Sequence, residues 1–184
     1  MSKTKKQKEI VHVMLKPDAL EFGLKKKILK EITKHGYKIV MSKKLVLNLW
    51  QIESIYSNFE DTDAKPAVLA FYISKPTEHF VFIGEKGLHD HLLEIKGSMI
   101  SKTGIRGKYV SRKKMSKKEL QKIVSGVLPN AKKAVNYIDF NFFGIDILHS
   151  ADDQEESCRA IRSIFNEKEW AFDPDLSKIL KQDN

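Results

Sequence analysis

The residues 9–15, "EIVHVML", alternate in polarity and are rich in β-branched side chains, a pattern that predicts a strand. "KPD" stops it, because Pro17 has no N–H to donate and a fixed φ. Over 24–35, Leu24, Ile28 and Ile32 recur every four residues on one helical face, and Gly36 follows as a stop. The core of "YKIVMSKKLVL", 38–47, predicts a second strand, and "LWQIESIYSNF", 49–59, a helix. A further helix is expected in "AKPAVLAFYI", with Pro66 in its first turn. "HFVFI", 79–83, reads as a short strand, and 88–96 as a helix held between Gly87 and Gly97. "SKKELQKIVSGVL" opens with Ser116 and Glu119 at capping-box spacing, so a helix is expected there. "FNFFGIDIL", 140–148, reads as a strand ending at His149. "DDQEESCRAIRSIF" begins with acids where a helix dipole favours them, and a short helix is expected at "DLSKIL".

This order of elements predicts an α/β layer, one sheet covered by helices, close to a split β-α-β arrangement. With 184 residues, one domain is expected, and 41% hydrophobic residues suffice for a core. No run of about 18 apolar residues is present, so no membrane span is expected. "MSKTKKQK" lacks the apolar stretch of a secretory signal. The single cysteine, Cys158, forms no intramolecular disulfide, which agrees with a reducing, cytoplasmic setting.

The net charge is +9 and unevenly spread. Lys3, Lys5, Lys6 and Lys8, with Arg112, Lys113, Lys114, Lys117 and Lys118, equal the whole excess in number. Such charge favours anionic partners: nucleotides, nucleic acid or acidic lipid. A solvated tail and loop is the plainer reading. No Gly-rich phosphate loop of the P-loop or dinucleotide kind occurs, and no zinc spacing. His89 and His91, two apart on a helix, point in different directions and make a poor metal pair.

His149 is the sharpest chemical candidate. A neutral imidazole is nucleophilic near neutral pH and can accept a phosphoryl group on one nitrogen while the other is held. Alone, its position suits an ordinary histidine beside a helix cap better. Lys16 directly follows a strand, where it would serve as a phosphate clamp or lie solvated. Arg106, in "TGIRGK", has glycines at 104 and 107 that let its forked donors come close to a phosphate; otherwise it is a loop arginine. Tyr56 lies on the expected helix, where a half-buried core role is the plainer reading.

Taken together, these segments resemble the nucleoside diphosphate kinase family. "VMLKPDALEFGLKKKILKEITKHGYKIV" is similar to its N-terminal signature, "GIRGK" to its Ile-Arg-Gly-Asp segment, and "DILHSADDQEES" to its active-site segment, in the family's order. The resemblance implies a ferredoxin-like fold with an antiparallel sheet covered by helices, and a ping-pong phosphotransferase. A nucleoside triphosphate carrying Mg²⁺ would phosphorylate His149, and a nucleoside diphosphate would collect the phosphate. Lys16 and Arg106 would hold phosphates, with Tyr56 beside the histidine. It further implies a homo-oligomer, a tetramer or hexamer built from dimers.

The chain departs from the family pattern at defined places. Asp146 stands for the asparagine three before the histidine, and Ser150-Ala151 for Gly-Ser. The ring-orienting glutamate falls on Ala160, leaving Asp153 or Glu156 as substitutes. A second phosphate-binding arginine falls on Leu93 and a threonine on Met99, with Lys96 or Lys102 available for the missing charge. Phe59 and Phe71 compete for the role of base-stacking aromatic. About forty residues separate the arginine and histidine segments, far more than in compact members. The expected organisation is therefore a disordered basic tail over 1–8 and a kinase-like domain over 9–184 with an insertion at about 109–140. Three functions follow: an active kinase, a weak or inactive nucleotide-binding relative acting as regulator or scaffold, and, less favoured, a nucleic-acid binder.

Overall fold

The computed structural model describes residues 8–56, 72–73, 75–98, 102–109 and 147–182. The expected helix at "SKKELQKIVSGVL", most of the insertion and the second basic cluster lie outside the described residues, as do Phe59, Phe71, Met99 and Asp146, the expected helix in "AKPAVLAFYI" apart from 72–73, and the expected strand 140–148 apart from its last two residues. So do Lys3, Lys5 and Lys6. Lys8, expected in the tail, opens the first strand and pairs with Asp175.

The strands are β1 (Lys8–Leu15), β2 (Lys38–Leu45), β3 (Thr77–Glu85) and β4 (Leu148–Ser150). The helices are α1 (Pro17–Glu21), α2 (Lys25–Thr33), α3 (Leu49–Ile55), α4 (Leu88–Lys96), α5 (Gly104–Tyr109), α6 (Gln154–Ile164), α7 (Glu167–Trp170) and α8 (Pro174–Gln182). The four strands form one sheet in the order β2-β3-β1-β4, every neighbouring pair antiparallel. This is the split β-α-β order of a ferredoxin-like α+β fold. No described helix is long and apolar enough to cross a membrane.

β1 is central and covered on both faces, which is why it reads as an almost unbroken apolar run. Val11, Val13 and Leu15 pack with Ile28 and Ile32 of α2 and Leu88 and Leu92 of α4. Ile10 and Met14 pack on the opposite face with Ile161 and Ile164 of α6 and Leu176 and Leu180 of α8.

Several boundaries differ from expectation. α3 stops at Ile55, so Tyr56 is the residue that ends the helix rather than one within it. Its start is set by a reciprocal cap, in which Asn48 accepts from the Gln51 N–H at 2.9 Å and Gln51 accepts from the Asn48 N–H at 3.0 Å. β3 extends two residues earlier than "HFVFI", because Thr77 and Glu78 still pair with Leu45 and Lys44 of β2. The strand around His149 includes the histidine, since the pairing with β1 runs on to Ser150. "GIRGKY" is a short helix, not a loop. Its glycines permit close backbone packing: a Cβ on Gly104 (φ +59°) would lie 2.5 Å from the Ile95 carbonyl oxygen and 2.7 Å from the Gly97 Cα.

The face carrying Ile10 and Met14 also buries two histidines completely, His12 on β1 and His79 on β3. Their rings stack with centroids 5.2 Å apart, and His12 Nε2 lies 2.9 Å from His79 Nδ1. Burial holds both imidazoles in the neutral form. It drives His12 well below its ordinary range, with His79 and His149 adding to the effect, and His79 down to about 3.

Two outcomes follow from this packing. Gly104→Ala would force a side chain against backbone at a left-handed residue and lower stability by about 2–4 kcal/mol in urea titration, whereas a surface alanine would cost almost nothing. The buried histidines make stability fall on acidification. They are neutral when folded but become charged below about pH 6.5 when unfolded, so stability is complete above that pH and declines towards their folded pKa values. Each contributes a slope of about 1.4 kcal/mol per pH unit in that window. Urea titrations at pH 7, 6 and 5 are expected to show a shallower decline in a His12→Leu/His79→Leu variant; an unchanged slope would assign the acid sensitivity to other groups.

Candidate active site

Four residues singled out in the sequence converge at one end of the sheet. Lys16 follows β1 directly and caps α1. Its N–H donates to the Ile147 carbonyl at 3.1 Å, tying the end of β1 to the start of β4. Pro17 then occupies the first helical turn, where its missing N–H removes no helical bond. The Lys16 side chain is largely buried, with its ammonium 5.8 Å from the centre of the Tyr56 ring and 5.7 Å from that of Tyr72. These are cation–π distances. The two tyrosine hydroxyls lie 3.1 Å apart. The Tyr56 ring is 4.7 Å from the His149 ring, centre to centre.

His149 is placed by register. It sits opposite Met14 of β1, and so on the α6-covered face, with a side-chain exposure of 12%. Arg106, on α5, directs Nε and Nη2 to the Leu148 carbonyl at 3.2 and 2.8 Å. The arginine therefore braces the strand that carries the histidine, and part of its fork is already used on backbone.

Of the substitutes left open by the sequence, Lys96 and Glu156 lie near His149. Lys96, in the last turn of α4, is the lysine at the site. Its ammonium lies 3.4 Å from the Ser150 carbonyl oxygen and 3.3 Å from Asp152 Oδ1. Lys102 is exposed, in a left-handed backbone conformation. Leu93 is half-buried on the same helix and supplies no charge.

Glu156 is the acid beside the histidine. Its Oε1 lies 3.3 Å from His149 Nε2, within ion-pair reach but off the line of a hydrogen bond. The carboxylate also accepts the Asp152 N–H at 2.7 Å. Asp153 instead caps α6, accepting the Glu156 N–H at 2.8 Å. Glu156 stands four residues, about one helical turn, before Ala160, so the same helix delivers a carboxylate from a neighbouring turn.

Electrostatics keep the imidazole neutral. Burial is the main cause pushing His149 below its ordinary pKa; Glu156 opposes it, while Lys16 and Lys96 reinforce it. For Glu156, burial alone would favour the protonated acid, but His149 and the Asp152 N–H outweigh it and hold the carboxyl below its usual range. The arrangement is a neutral imidazole beside a carboxylate, within the field of two lysines. Among the described residues, no cluster of three or more histidines, cysteines or acids is placed to hold a metal. His89 and His91 do diverge: His89 lies against Glu9 and Ser157, and His91 against Tyr37.

Tyr72, Lys96, Glu156 and the His12–His79 pair are the members of this region that sequence reading did not select. Lys96 and Glu156 appeared only as alternatives. Tyr72 had one available signal, its place at the end of an expected helix, which does not say which way the ring points.

Comparison with solved structures gives the same fold. The chain is similar to the nucleoside diphosphate kinase of Aquifex aeolicus, with 22% identity and a TM-score of 0.59 over 89% of this chain and 99% of that one. It is similar to an NDP kinase from Pyrobaculum aerophilum, at 20% identity and TM-score 0.62 over 89% and 98%. It is also similar to a transition state mimic of the Borrelia burgdorferi enzyme with bound vanadate and ADP, at 16% identity and TM-score 0.64 over 88% and 89%. No curated protein sequence matches the chain. The model of the family described as nucleoside diphosphate kinase matches residues 9–170, most of the chain. The chain therefore belongs to the nucleoside diphosphate kinase family.

Proposed function

We propose that the chain is a nucleoside diphosphate kinase that carries the phosphoryl group on His149. The observation that supports this most strongly is the neutral, largely buried imidazole at the strand end, within the field of Lys16 and Lys96 and packed on Tyr56. The carboxylate of Glu156 favours a proton on Nε2, which leaves the Nδ1 lone pair as the nucleophile. In the first half-reaction Nδ1 bonds to the γ-phosphorus of a nucleoside triphosphate, and the bond from that phosphorus to the bridging oxygen breaks, releasing the diphosphate. In the second, a terminal oxygen of another nucleoside diphosphate takes the phosphorus, and the P–N bond breaks. Phosphoryl transfer asks for alignment and positive charge more than for covalent chemistry, and Lys16, Lys96 and Arg106 are the cations of the site.

Mg²⁺ fits as an ion carried by the nucleotide. The described residues build no metal cage, whereas their cations suit phosphate oxygens that would themselves hold the ion. When bound, Mg²⁺ neutralises phosphate charge. A kinase-like domain from about residue 9, a homo-oligomer built from dimers, and a cytoplasmic setting belong to the same reading.

Two observations favour a second reading, a nucleotide-binding relative with little turnover. Arg106 spends two donors on Leu148, and Leu93 supplies no charge. Each lost charge-assisted contact would reduce rate or affinity about 10- to 100-fold.

Incubation with γ-labelled ATP and Mg²⁺ separates the two. The kinase reading expects an acid-labile, alkali-stable label that passes to added nucleoside diphosphates and is missing in His149→Ala. Lys16→Met is expected to reduce phosphorylation about 10- to 100-fold. Thermal stabilisation by ADP without any label would overturn the kinase reading in favour of the second.

A further inference from the structure

His12 lies on β1 between β3, which carries His79, and β4, which carries His149. Met14 pairs with His79 on one side and with His149 on the other. With side chains alternating along each strand, all three histidines belong to one face of the sheet. They make a row across three adjacent strands, with the His12 and His149 rings 6.4 Å apart, centre to centre.

The hydrogen bonds assign the tautomers. The Thr77 hydroxyl donates to the Leu45 carbonyl at 3.3 Å, and Thr77 Oγ1 is 2.8 Å from His79 Nε2. Both contacts are satisfied when His79 carries its proton on Nε2 and donates to Thr77. His79 Nδ1 is then a lone pair, so His12 Nε2, 2.9 Å away, must be the donor. Each ring is neutral and has one proton. His12 Nδ1 is therefore a lone pair, buried and without a partner among the described residues. His149 Nε2 is also buried without an aligned partner. One of these nitrogens can only accept, and the other is the position that must hold a proton for Nδ1 to act as nucleophile.

We propose that His12 is a positioning residue: the Thr77–His79–His12 chain presents a fixed acceptor that holds His149 in the Nε2–H tautomer through one bridging water. Burying two such nitrogens unpaired is unfavourable, and a water between rings whose centres lie 6.4 Å apart would have three polar partners. It accepts from His149 Nε2–H and donates to His12 Nδ1 and Glu156 Oε1. Glu156 supplies the charge beside the ring, and His12 supplies direction. Lys16 and Lys96 stand on the same histidine and disfavour a second ring proton. The consequence for phosphorylation rests on the kinase reading, but the tautomer assignment does not.

Two substitutions separate positioning from packing. In His12→Gln the amide replaces Nε2, so the bond to His79 survives and the acceptor towards His149 is lost. In His12→Asn the amide oxygen replaces Nδ1, so the acceptor survives and the bond to His79 is lost. Two-bond ¹H–¹⁵N correlations of the histidine rings at pH 7.5 read the tautomer directly, and single-turnover labelling reads the rate.

The wild type and His12→Asn are expected to hold His149 as Nε2–H. His12→Gln is expected to show mixed tautomers and a roughly tenfold slower phosphorylation despite the higher melting temperature of the two variants. Thr77→Val, which removes the hydroxyl that orients His79, is expected to shift His149 in the same direction as His12→Gln. An unchanged His149 tautomer in both His12→Gln and Thr77→Val would overturn the proposal, as would rates that simply follow stability. A wild-type protein with the expected tautomers that takes no phosphate would remove the kinase reading and leave the positioning role standing.

Discussion

The site depends on a short pairing, Leu148–Ser150 against Val13–Leu15. These backbone bonds decide which face of the sheet His149 occupies. A slip of one residue would turn the imidazole to the opposite face, away from Glu156 and Tyr56. So brief a strand would be weak in isolation. Here it is pinned by the Lys16 N–H on Ile147, the Ala151 N–H on His12, and the Arg106 fork on Leu148. Arg106 and Lys16, expected mainly as phosphate ligands, thus hold the strand that presents His149.

Burial then shapes the chemistry. A half-exposed histidine at this position would titrate near neutral pH. Enclosed by Tyr56 and Met14 and facing two lysines, it is kept unprotonated, the form that a phosphoryl acceptor needs. Glu156 opposes this shift and so defines a preferred side for the remaining proton. The same physics extends inward to His12 and His79, which are fully buried and held neutral by desolvation. Burial is thus the main cause that lowers the pKa of all three histidines.

Much of this was legible in the residues. "EIVHVML" followed by Lys-Pro, the four-residue rhythm of Leu24, Ile28 and Ile32, and the histidine ahead of an acidic helix start all mark local structure, and local rules read them. Tyr56 was selected, but its place at the end of α3 depends on where that helix stops, which the apolar pattern running on through Tyr56 to Phe59 conceals. The "GIRGK" helix was hidden because glycines ordinarily signal a loop; here they allow backbone to pack on Gly97 and Ile95. Lys96, Tyr72 and Glu156 reach the site from three separate elements, and only tertiary packing selects among neighbours such as Lys102 or Asp153. The His12–His79 contact is a diagonal relation between strands 67 residues apart in sequence, which no one-dimensional pattern encodes.

The central claim is that phosphate is received by His149 within the field of Lys16, Lys96 and Arg106. The most direct measurement is a crystal structure with Mg·ADP. The account predicts the terminal phosphate beside His149 Nδ1, with the Lys16 ammonium and the Arg106 guanidinium on its oxygens. A nucleotide bound with its phosphates on another face, or phosphates that leave Nδ1 out of reach, would contradict it.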